Sequence, residues 1–217
     1  AKQTVERLIK SERVDFLTGI VFSNIMLAVG PTVFQSKTFY LSANAGPSQY
    51  AGAQCNPYFF SVSYQNDNMH EAVGKTVGDK GFKKVALLAP NYPAGKDALA
   101  GFKRYYKGEI VGEIFTRLDQ TDFAAEMAQI RAANPDVVFQ FHPGGLGIAF
   151  LRQYQQAGLL GKIPMSLSEP SLDAVILKAL GDAAEGLNVT AHWNADFDNP
   201  ANKKFMAAWM KAYDRPP

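Results

Sequence analysis

Cysteine and charge are both scarce in this sequence, and their scarcity excludes several classes of protein. The single cysteine, Cys55, can form no disulfide within the chain and leaves no cysteine cluster for a metal site. We expect it to be a small, half-buried residue, and one cysteine leaves the redox compartment open. Charged residues make up 19% of the 217 residues, and the net charge is +2. Without basic runs interleaved with aromatic residues, the sequence predicts no nucleic-acid partner.

A complete nucleotide-binding loop is also missing, although part of one is present. The segment LLAPNYPAGKDALAGF (87–102) places Gly95 and Lys96 between an apolar run and a predicted helix. The ATP-binding loop requires G-x-x-x-x-G-K-[ST], but here Pro90 stands at the first glycine and Asp97 at the hydroxyl position. Proline removes a backbone donor, and an aspartate repels phosphate. The sequence therefore predicts a strand, a loop and a helix that hold some other ligand.

Motifs for catalysis and for metal or dinucleotide binding are absent as well. No G-x-S-x-G elbow is present, and the histidines at 70, 142 and 192 lack the spacing of a zinc site. The glycines of HPGGLGIAF (142–150) do not follow the G-x-G-x-x-G order of a dinucleotide site. We therefore predict a protein that is not an enzyme and holds no metal and no cofactor. An α/β enzyme using His142 and Glu169 is a less favoured alternative.

Short apolar runs alternate with segments of helical periodicity along the whole chain. Strands are predicted at 14–19, 38–43, 84–90, 108–115, 136–141, 163–168 and 187–191. Helices are predicted at 23–36, 66–79, 94–107, 122–133, 144–157, 171–180 and 200–213. This alternation is typical of an α/β fold with largely parallel sheets whose helices cover both faces. The uncharged stretch at 16–34 approaches the length of a membrane span, but Gly19, Asn24 and Pro31 favour a strand, a turn and a helix instead.

The predicted strands are distributed unevenly, which indicates two lobes. Only two strong strand candidates precede residue 62, whereas a sheet usually has about four to six strands. Residues 63–190 contain enough strands for a sheet of their own. We expect an incomplete first lobe at 1–62, a complete second lobe at 63–190 and a return to the first lobe at 191–217. FSVS (60–63) and NVTA (188–191) would be the two crossings between the lobes.

Candidate ligand residues follow the predicted strands, because ligands bind beyond the carboxyl ends of parallel strands. Ser23 follows the first strand, and the small-residue loop SANAGPS (42–48) follows the second. The later strands and the second crossing are followed by aromatic, hydroxyl and carboxylate side chains: Tyr92, Phe141, His142, Ser168, Glu169 and Trp193. Each has a structural alternative, since Ser23 could cap its helix, His142 could cap a turn, and Trp193 could pack at the hinge.

Six segments, in order along essentially the whole chain, closely resemble type I periplasmic substrate-binding proteins of ABC transporters, in the leucine/isoleucine/valine-binding branch. They are VDFLTGIVFSNIMLAVGPTVF (14–34), FYLSANAGPSQYAG (39–52), NPYFFSVSYQND (56–67), KKVALLAPNYPAGKDALAGFK (83–103), DFAAEMAQIRAANPDVVFQFHPGGLGIAFLRQYQQAGL (122–159) and GDAAEGLNVTAHWNADFDNPANKKFMAAWMKAY (181–213). The resemblance implies a fold of two Rossmann-like lobes with the ligand in a cleft between them.

The resemblance also implies which residues bind the ligand. In the family the ligand carboxylate is held by a serine and a small-residue loop, to which Ser23 and the backbone of Ala43 and Ala45 are similar. The acidic residue that meets an amino acid's ammonium corresponds to Glu169. The loop tyrosine corresponds to Tyr92, although two residues intervene before the following glycine. The implied ligand-binding set is Ser23, Ala43, Asn44, Ala45, Tyr92, Phe141, His142, Glu169 and Trp193.

The function implied by the resemblance is capture of a small carboxylate for an ABC importer. It implies a periplasmic or lipid-anchored extracellular protein with a membrane permease as its partner, and a chain that is truncated at both ends. Family members bind branched-chain amino acids, amides, urea and aromatic acids. SANAGPSQYAG and NYPAGKD are most similar to the aromatic-acid-binding members, so we expect an aromatic acid first and a branched-chain or other amino acid next. A sensing domain of a chemoreceptor or regulator with the same fold is the alternative.

Overall fold

The computed structural model describes all residues from 1 to 217, and strands and helices alternate along them. The strands are β1 (Phe16–Leu17), β2 (Phe39–Ser42), β3 (Phe59–Ser61), β4 (Lys84–Pro90), β5 (Glu109–Thr116), β6 (Val137–Gln140), β7 (Met165–Ser168) and β8 (Asn188–Thr190). The helices are α1 (Lys2–Lys10), α2 (Ser23–Gln35), α3 (Asn68–Asp79), α4 (Pro93–Tyr105), α5 (Ala124–Ala133), α6 (Gly145–Gln156), α7 (Ala174–Leu180) and α8 (Pro200–Tyr213).

The strands form two separate sheets in which every pair is parallel. The first sheet has the order β1-β2-β3, and the second has the order β5-β4-β6-β7-β8. The predicted α/β class with parallel sheets is therefore confirmed. In the second sheet the chain leaves β4 for β5 on one side and then returns to β6 on the other. The strand order thus reverses between β4 and β6, where parallel sheets bind their ligands.

Helices cover both faces of the second sheet because side chains along β4 alternate between two apolar cores. Val85, Leu87 and Ala89 belong to a buried cluster of 14 residues that includes side chains of α3 and α4. Ala86 and Leu88 belong to a cluster of 16 that includes side chains of α5, α6 and α7. Both faces are buried, as expected for a parallel sheet with long apolar runs. The first sheet has one smaller core of eight buried residues, which α1 and α2 help to form.

The glycine of the partial nucleotide-loop motif has a packing role. A Cβ on Gly95 would lie 1.9 Å from the carbonyl oxygen of Pro90, so only glycine allows α4 to begin this close to the end of β4. Tyr92 precedes the helix, and Pro93 occupies its first turn, a position that tolerates a missing backbone N–H. This start of α4 directs its N-terminus toward the carboxyl edge of the second sheet.

The segment before residue 62 differs from its sequence-based description. It contains three strands rather than two, because Phe59–Ser61 pairs in parallel with β2. β1 has only two residues, and Cys55 is exposed rather than half-buried. The apolar stretch at 16–34 divides into β1, a turn with Gly19 at φ 95° and α2, which continues through Pro31. The helices are all too short or too polar to cross a membrane.

The lobe boundaries at residues 62 and 190 stay a prediction. Both proposed crossings overlap strands, since β3 ends at Ser61 in the first sheet and β8 pairs with β7 in the second. The last helix begins as predicted, with the Asn199 side chain accepting a hydrogen bond from the backbone of Asn202 at 2.8 Å. Aromatic side chains run along one side of α8, namely Phe205, Trp209 and Tyr213.

Candidate ligand site

A cavity of about 400 Å³ lies where the carboxyl ends of the two sheets converge. Residues from the loops that follow each of the strands β1 to β7 line it. Its volume falls within the range of about 300–1,000 Å³ that is usual for small-molecule sites. Tyr92 and Phe141, which follow the two strands at the reversal of the second sheet, both lie in its wall. The cavity thus occupies the position that the topology predicts for a ligand.

Four helices begin at the cavity. The residues that precede α2, α4, α6 and α7 all line it: Phe22, Tyr92, Gly144 and Asp173. The first backbone N–H groups of a helix have no partner within the helix, and the helix dipole adds positive potential there. Of these four helices, only α7 has its N-terminus capped by a side chain, that of Asp173. No lysine or arginine lines the cavity. A negatively charged group in this cavity would therefore meet neutral donors rather than a cationic side chain.

Side-chain donors concentrate at the end of the cavity nearest the first sheet. Ser23, in the first turn of α2, is 1% exposed and accepts a hydrogen bond from the Asn66 amide nitrogen at 3.0 Å. Its hydroxyl makes no second hydrogen bond within the protein, so its proton is available to a ligand oxygen. Asn44, in the loop after β2, also lines this end.

Apolar and aromatic side chains form most of the remaining wall. Phe22 and Tyr92 meet edge to face in the wall, with ring centroids 6.3 Å apart. Phe141, Met69 and Leu118 also line the cavity. Burial raises the pKa of Tyr92, with smaller contributions from the nearby Tyr64 and Asp97, so its phenol stays neutral. A flat apolar ligand with one charged end matches this combination of wall and donors.

His70 is a polar residue of the cavity that the sequence analysis did not identify. It lies in the first turn of α3, packs edge-on against Phe141 with ring centroids 4.9 Å apart, and lines the cavity. Its Nδ1 atom is 2.7 Å from the Ser168 hydroxyl. Burial lowers its pKa to about 3, so the imidazole is neutral at physiological pH. It therefore contributes a polar surface to the cavity without a charge.

Four of the predicted ligand residues line the cavity: Ser23, Asn44, Tyr92 and Phe141. Ala43 and Ala45 do not, although they belong to the same loop as Asn44. Ala43 is exposed, and the N–H of Ala45 is directed at the carbonyl oxygen of Ile20 at 3.4 Å. In this loop the side chain of Asn44 lines the cavity, and ligand binding by the backbone of Ala43 and Ala45 stays a prediction.

His142 requires a correction, because its side chain lies in the core and not in the cavity. It is fully buried, with its ring nitrogens 2.9 Å from the Thr116 hydroxyl and 2.8 Å from Gln140 Oε1. It stacks on Phe150 at a centroid distance of 4.7 Å, and burial lowers its pKa to about 3. The physical reason is strand alternation: Phe141 faces the cavity, so the next residue points to the opposite face.

Glu169 and Trp193 also lie outside the cavity wall. Glu169 Oε2 is 3.0 Å from His192 Nδ1, a close approach without the alignment of a hydrogen bond, and Tyr64 packs against the same imidazole. Trp193 donates to Asn202 Oδ1 at 2.8 Å and packs on Phe205 at the start of the last helix. The hinge-packing alternative for Trp193 matches this contact.

Tyr64, Asn66 and His70 are polar residues of the cavity that were not predicted from the sequence, and the first two share a cause. Tyr64 and Asn66 follow β3, a strand whose residues overlap a predicted crossing, whereas His70 lies in the first turn of the next helix. Had Phe59–Ser61 been recognised as a strand, the rule that ligand residues follow parallel strands would have selected Tyr64 and Asn66. His70 carries no comparable signal, because a histidine at the start of an amphipathic helix is ordinary.

Comparisons with known proteins agree with this architecture. The family described as periplasmic binding protein matches residues 1–217. A Leu/Ile/Val-binding protein homolog 6 from Brucella melitensis is 29% identical over 225 residues, covering all of this chain and 56% of that protein. The chain therefore spans little more than half the length of this curated relative.

Two solved structures from R. palustris are similar over nearly the whole chain. A solute-binding protein of an ABC transporter in complex with benzoate superposes with a TM-score of 0.89 at 30% identity, covering 100% of this chain and 60% of that one. A second, in complex with 4-hydroxybenzoate, has a TM-score of 0.88 at 27% identity, with coverages of 99% and 59%. The predicted fold of two Rossmann-like lobes is confirmed by these similarities.

Proposed function

The chain belongs to the periplasmic binding protein family, and from that membership we propose that it captures a small carboxylate for an ABC importer. The cavity would hold the ligand, the two lobes would close over it, and a membrane permease would receive it. The protein would accordingly act in the periplasm or, lipid-anchored, outside the cell. The site carries out no reaction in this proposal, and its ligand leaves unchanged.

The observation that carries the proposal is the pairing of uncapped helix N-termini with an apolar wall. A carboxylate at Ser23 would meet the hydroxyl proton and the unpaired N–H groups of α2. Because no cationic side chain lines the cavity, the anion would be bound through neutral donors in a water-poor site, where each hydrogen bond to charge is worth about 1.5–3 kcal/mol. The rest of the ligand would contact Phe22, Tyr92 and Phe141.

Within the carboxylates we favour an aromatic acid over an amino acid. An amino acid's ammonium requires a carboxylate partner in the cavity. Asp173 is the only acidic residue in the wall, and its side chain accepts a hydrogen bond from the backbone of Ile176 at 2.8 Å to cap α7. Glu169 lies beside His192 instead. Two similar proteins hold benzoate and 4-hydroxybenzoate, and the aromatic wall of this cavity suits the same ring.

A calorimetric and thermal-shift series with benzoate, 4-hydroxybenzoate and leucine tests this proposal. At a ligand concentration of 100 Kd, binding should stabilise the folded protein by about 2.7 kcal/mol. We expect benzoate or 4-hydroxybenzoate to bind more tightly than leucine, and each to be recovered chemically unchanged. Tighter binding of leucine would contradict the ligand preference, binding of none of the three would contradict the proposed function, and turnover would indicate an enzyme.

Closure can be measured on the same complexes. Small-angle scattering with and without benzoate should show a smaller radius of gyration in the complex, since a ligand favours the closed form only through contacts with both lobes. An unchanged radius at saturation would mean that the lobes do not move on binding.

A further inference from the structure

Asp97, which stands where the nucleotide-binding loop has a serine or threonine, is a buried carboxylate with an unusual environment. It is 7% exposed, and none of the protein's salt bridges includes it. Its three hydrogen-bond donors are uncharged: the Ser48 backbone N–H at 3.1 Å, the Ser48 hydroxyl at 2.7 Å and the Asn66 amide at 2.9 Å. A buried charge held only by neutral groups is costly to retain, which calls for a reason beyond packing.

The bonds of Asp97 join parts of the chain that belong to different sheets. Asp97 lies in the second turn of α4, which packs on the second sheet, whereas Ser48 ends the loop that follows β2 of the first. Asn66 follows β3 and links both, because its nitrogen also donates to Ser23. One carboxylate therefore fixes the loop and the serine hydroxyl that form the polar end of the cavity.

Asp97 and Gly46 together determine how the Asn66 amide is oriented. Asn66 Oδ1 accepts from the Gly46 N–H at 3.2 Å, so its NH₂ group faces Asp97 and Ser23. In the flipped orientation the amide oxygen would face a carboxylate oxygen, and two N–H donors would face each other at Gly46. Asn66 therefore donates to Ser23 Oγ, and the serine's own proton has no acceptor within the protein.

We propose that Asp97 is a positioning residue for ligand binding: through Asn66 it keeps the Ser23 hydroxyl proton directed at a ligand oxygen in the cavity. Without an acceptor at position 97, only the Gly46 N–H opposes rotation of the Asn66 amide. In the rotated amide the oxygen accepts from Ser23, which turns the hydroxyl from a donor into an acceptor toward the ligand. This inference rests on the proposed binding of a carboxylate. It concerns hydrogen-bond acceptance rather than charge.

The test compares Asp97→Ala with Asp97→Asn, using benzoate as the probe. Asp97→Ala should weaken benzoate binding about 10- to 100-fold, the value of one hydrogen bond to a charged group. Asp97→Asn retains an acceptor for Asn66, so its affinity should stay within about threefold of the unaltered protein. Asp136→Ala is the matched control, because Asp136 also accepts two backbone N–H bonds, at 2.9 Å each, but lies on the surface. It should bind benzoate normally.

A double-mutant cycle separates positioning from a general structural role. In a Ser23→Ala background Asp97→Ala should weaken binding by less than about twofold further, because the hydroxyl that it orients is gone. An undiminished loss in that background, or normal affinity of Asp97→Ala alone, would overturn the proposal. If Asp97→Ala does not fold, Asn66→Ala interrupts the same relay and should show the same loss and the same dependence on Ser23.

A ligand-free measurement keeps this inference distinct from the proposed function. Amide hydrogen exchange of residues 43–48 should be faster in Asp97→Ala than in the unaltered protein and restored in Asp97→Asn, while residues 84–90 stay unchanged. If the unaltered protein binds no probe, this pattern would sustain the positioning of the loop although the proposed ligand is wrong. Unchanged exchange at 43–48 in Asp97→Ala would overturn the positioning itself.

Discussion

The two sheets of this protein contribute to the same cavity but differ in how completely they are packed. The second sheet has five strands between two buried cores of 16 and 14 residues. The first has three strands and one core of eight. On the first sheet Phe16, Phe39 and Phe60 are 58%, 46% and 49% exposed, and Phe39 contacts Phe60 with centroids 6.0 Å apart. One face of this sheet therefore presents aromatic rings to solvent.

The two sheets contribute different kinds of residue to the cavity. The well-packed second sheet supplies Tyr92 and Phe141 of the aromatic wall, which follow the buried strands β4 and β6. The first sheet supplies Ser23 and Asn44. Asp97 of α4 accepts hydrogen bonds from Ser48, in the loop of Asn44, and from Asn66, which donates to Ser23. In the proposed function, the shape of the ligand would thus be read mainly by the part of the molecule with two buried cores, and its charge by the part with one smaller core.

We expect acid to lower the free energy of unfolding through groups packed against the second sheet, the better-packed of the two. Burial lowers the pKa of His70 and of His142 from 6.5 to about 3, and both pack against the second sheet. Below pH 6.5 the unfolded chain binds protons that the folded protein excludes, so stability present above that pH is lost as the pH falls toward 3. Between pH 7 and 5 each histidine should cost about 2 kcal/mol.

Urea denaturation followed by circular dichroism at pH 7 and pH 5 measures this loss. His142→Gln removes one of the two titrating groups. The difference in free energy of unfolding between pH 7 and pH 5 should therefore fall by about half, even if the variant is less stable at pH 7. A free energy of unfolding that is the same at both pH values would show that the two imidazoles are not buried in neutral form.

At neutral pH, the backbone amides of the two sheets should exchange their hydrogens at different rates. Residues 84–90 and 137–140 lie at the centre of the second sheet, and their opening requires loss of two cores. We expect them to exchange at least about 100-fold more slowly than residues 39–42 and 59–61 of the first sheet, a difference of about 2.7 kcal/mol in opening free energy. Equal and high protection in both sheets of the monomer would mean that three strands and one core are sufficient here.

The sequence predicted the second sheet better than the first, because longer buried strands leave a clearer pattern in the sequence. KVALLAP is a continuous apolar run, and the structure places β4 at the same residues, 84–90. In contrast, β1 has two residues and β3 has three, too few to produce a periodic pattern, and β3 follows shortly after Pro57. Phe141 directly follows β6, and Ser23 is the first residue of the helix that follows β1, so the rule that ligand residues follow parallel strands selects both. The side-chain direction of His142 and the Asp97–Asn66 contact depend on tertiary packing, which no local pattern records.

Ser23→Ala tests the contribution of the first sheet to anion binding. Ser23 accepts from Asn66 and has a free proton, so its removal should weaken benzoate binding by about 1.5–3 kcal/mol, the value of one hydrogen bond to a charged oxygen. Ser36→Ala, at the opposite end of α2, removes an exposed hydroxyl that donates to Val33 and should bind normally. Titration calorimetry with benzoate measures the affinity of both variants. Normal affinity of Ser23→Ala would remove this residue from the site.

Glu169→Gln should have the smallest effect, and it distinguishes the two ligand classes. The Glu169 carboxylate approaches His192 at 3.0 Å and does not line the cavity. Benzoate affinity should therefore change by less than about 0.5 kcal/mol, the usual limit for a substitution outside a contact. An amino acid whose ammonium relied on Glu169 would instead lose a charge-assisted bond of about 1.5–3 kcal/mol. Parallel titrations of Glu169→Gln with benzoate and with leucine show which ligand depends on this carboxylate. Equal large losses for both would show that Glu169 supports the cavity as a whole, since only a selectivity residue discriminates between a ring and an ammonium.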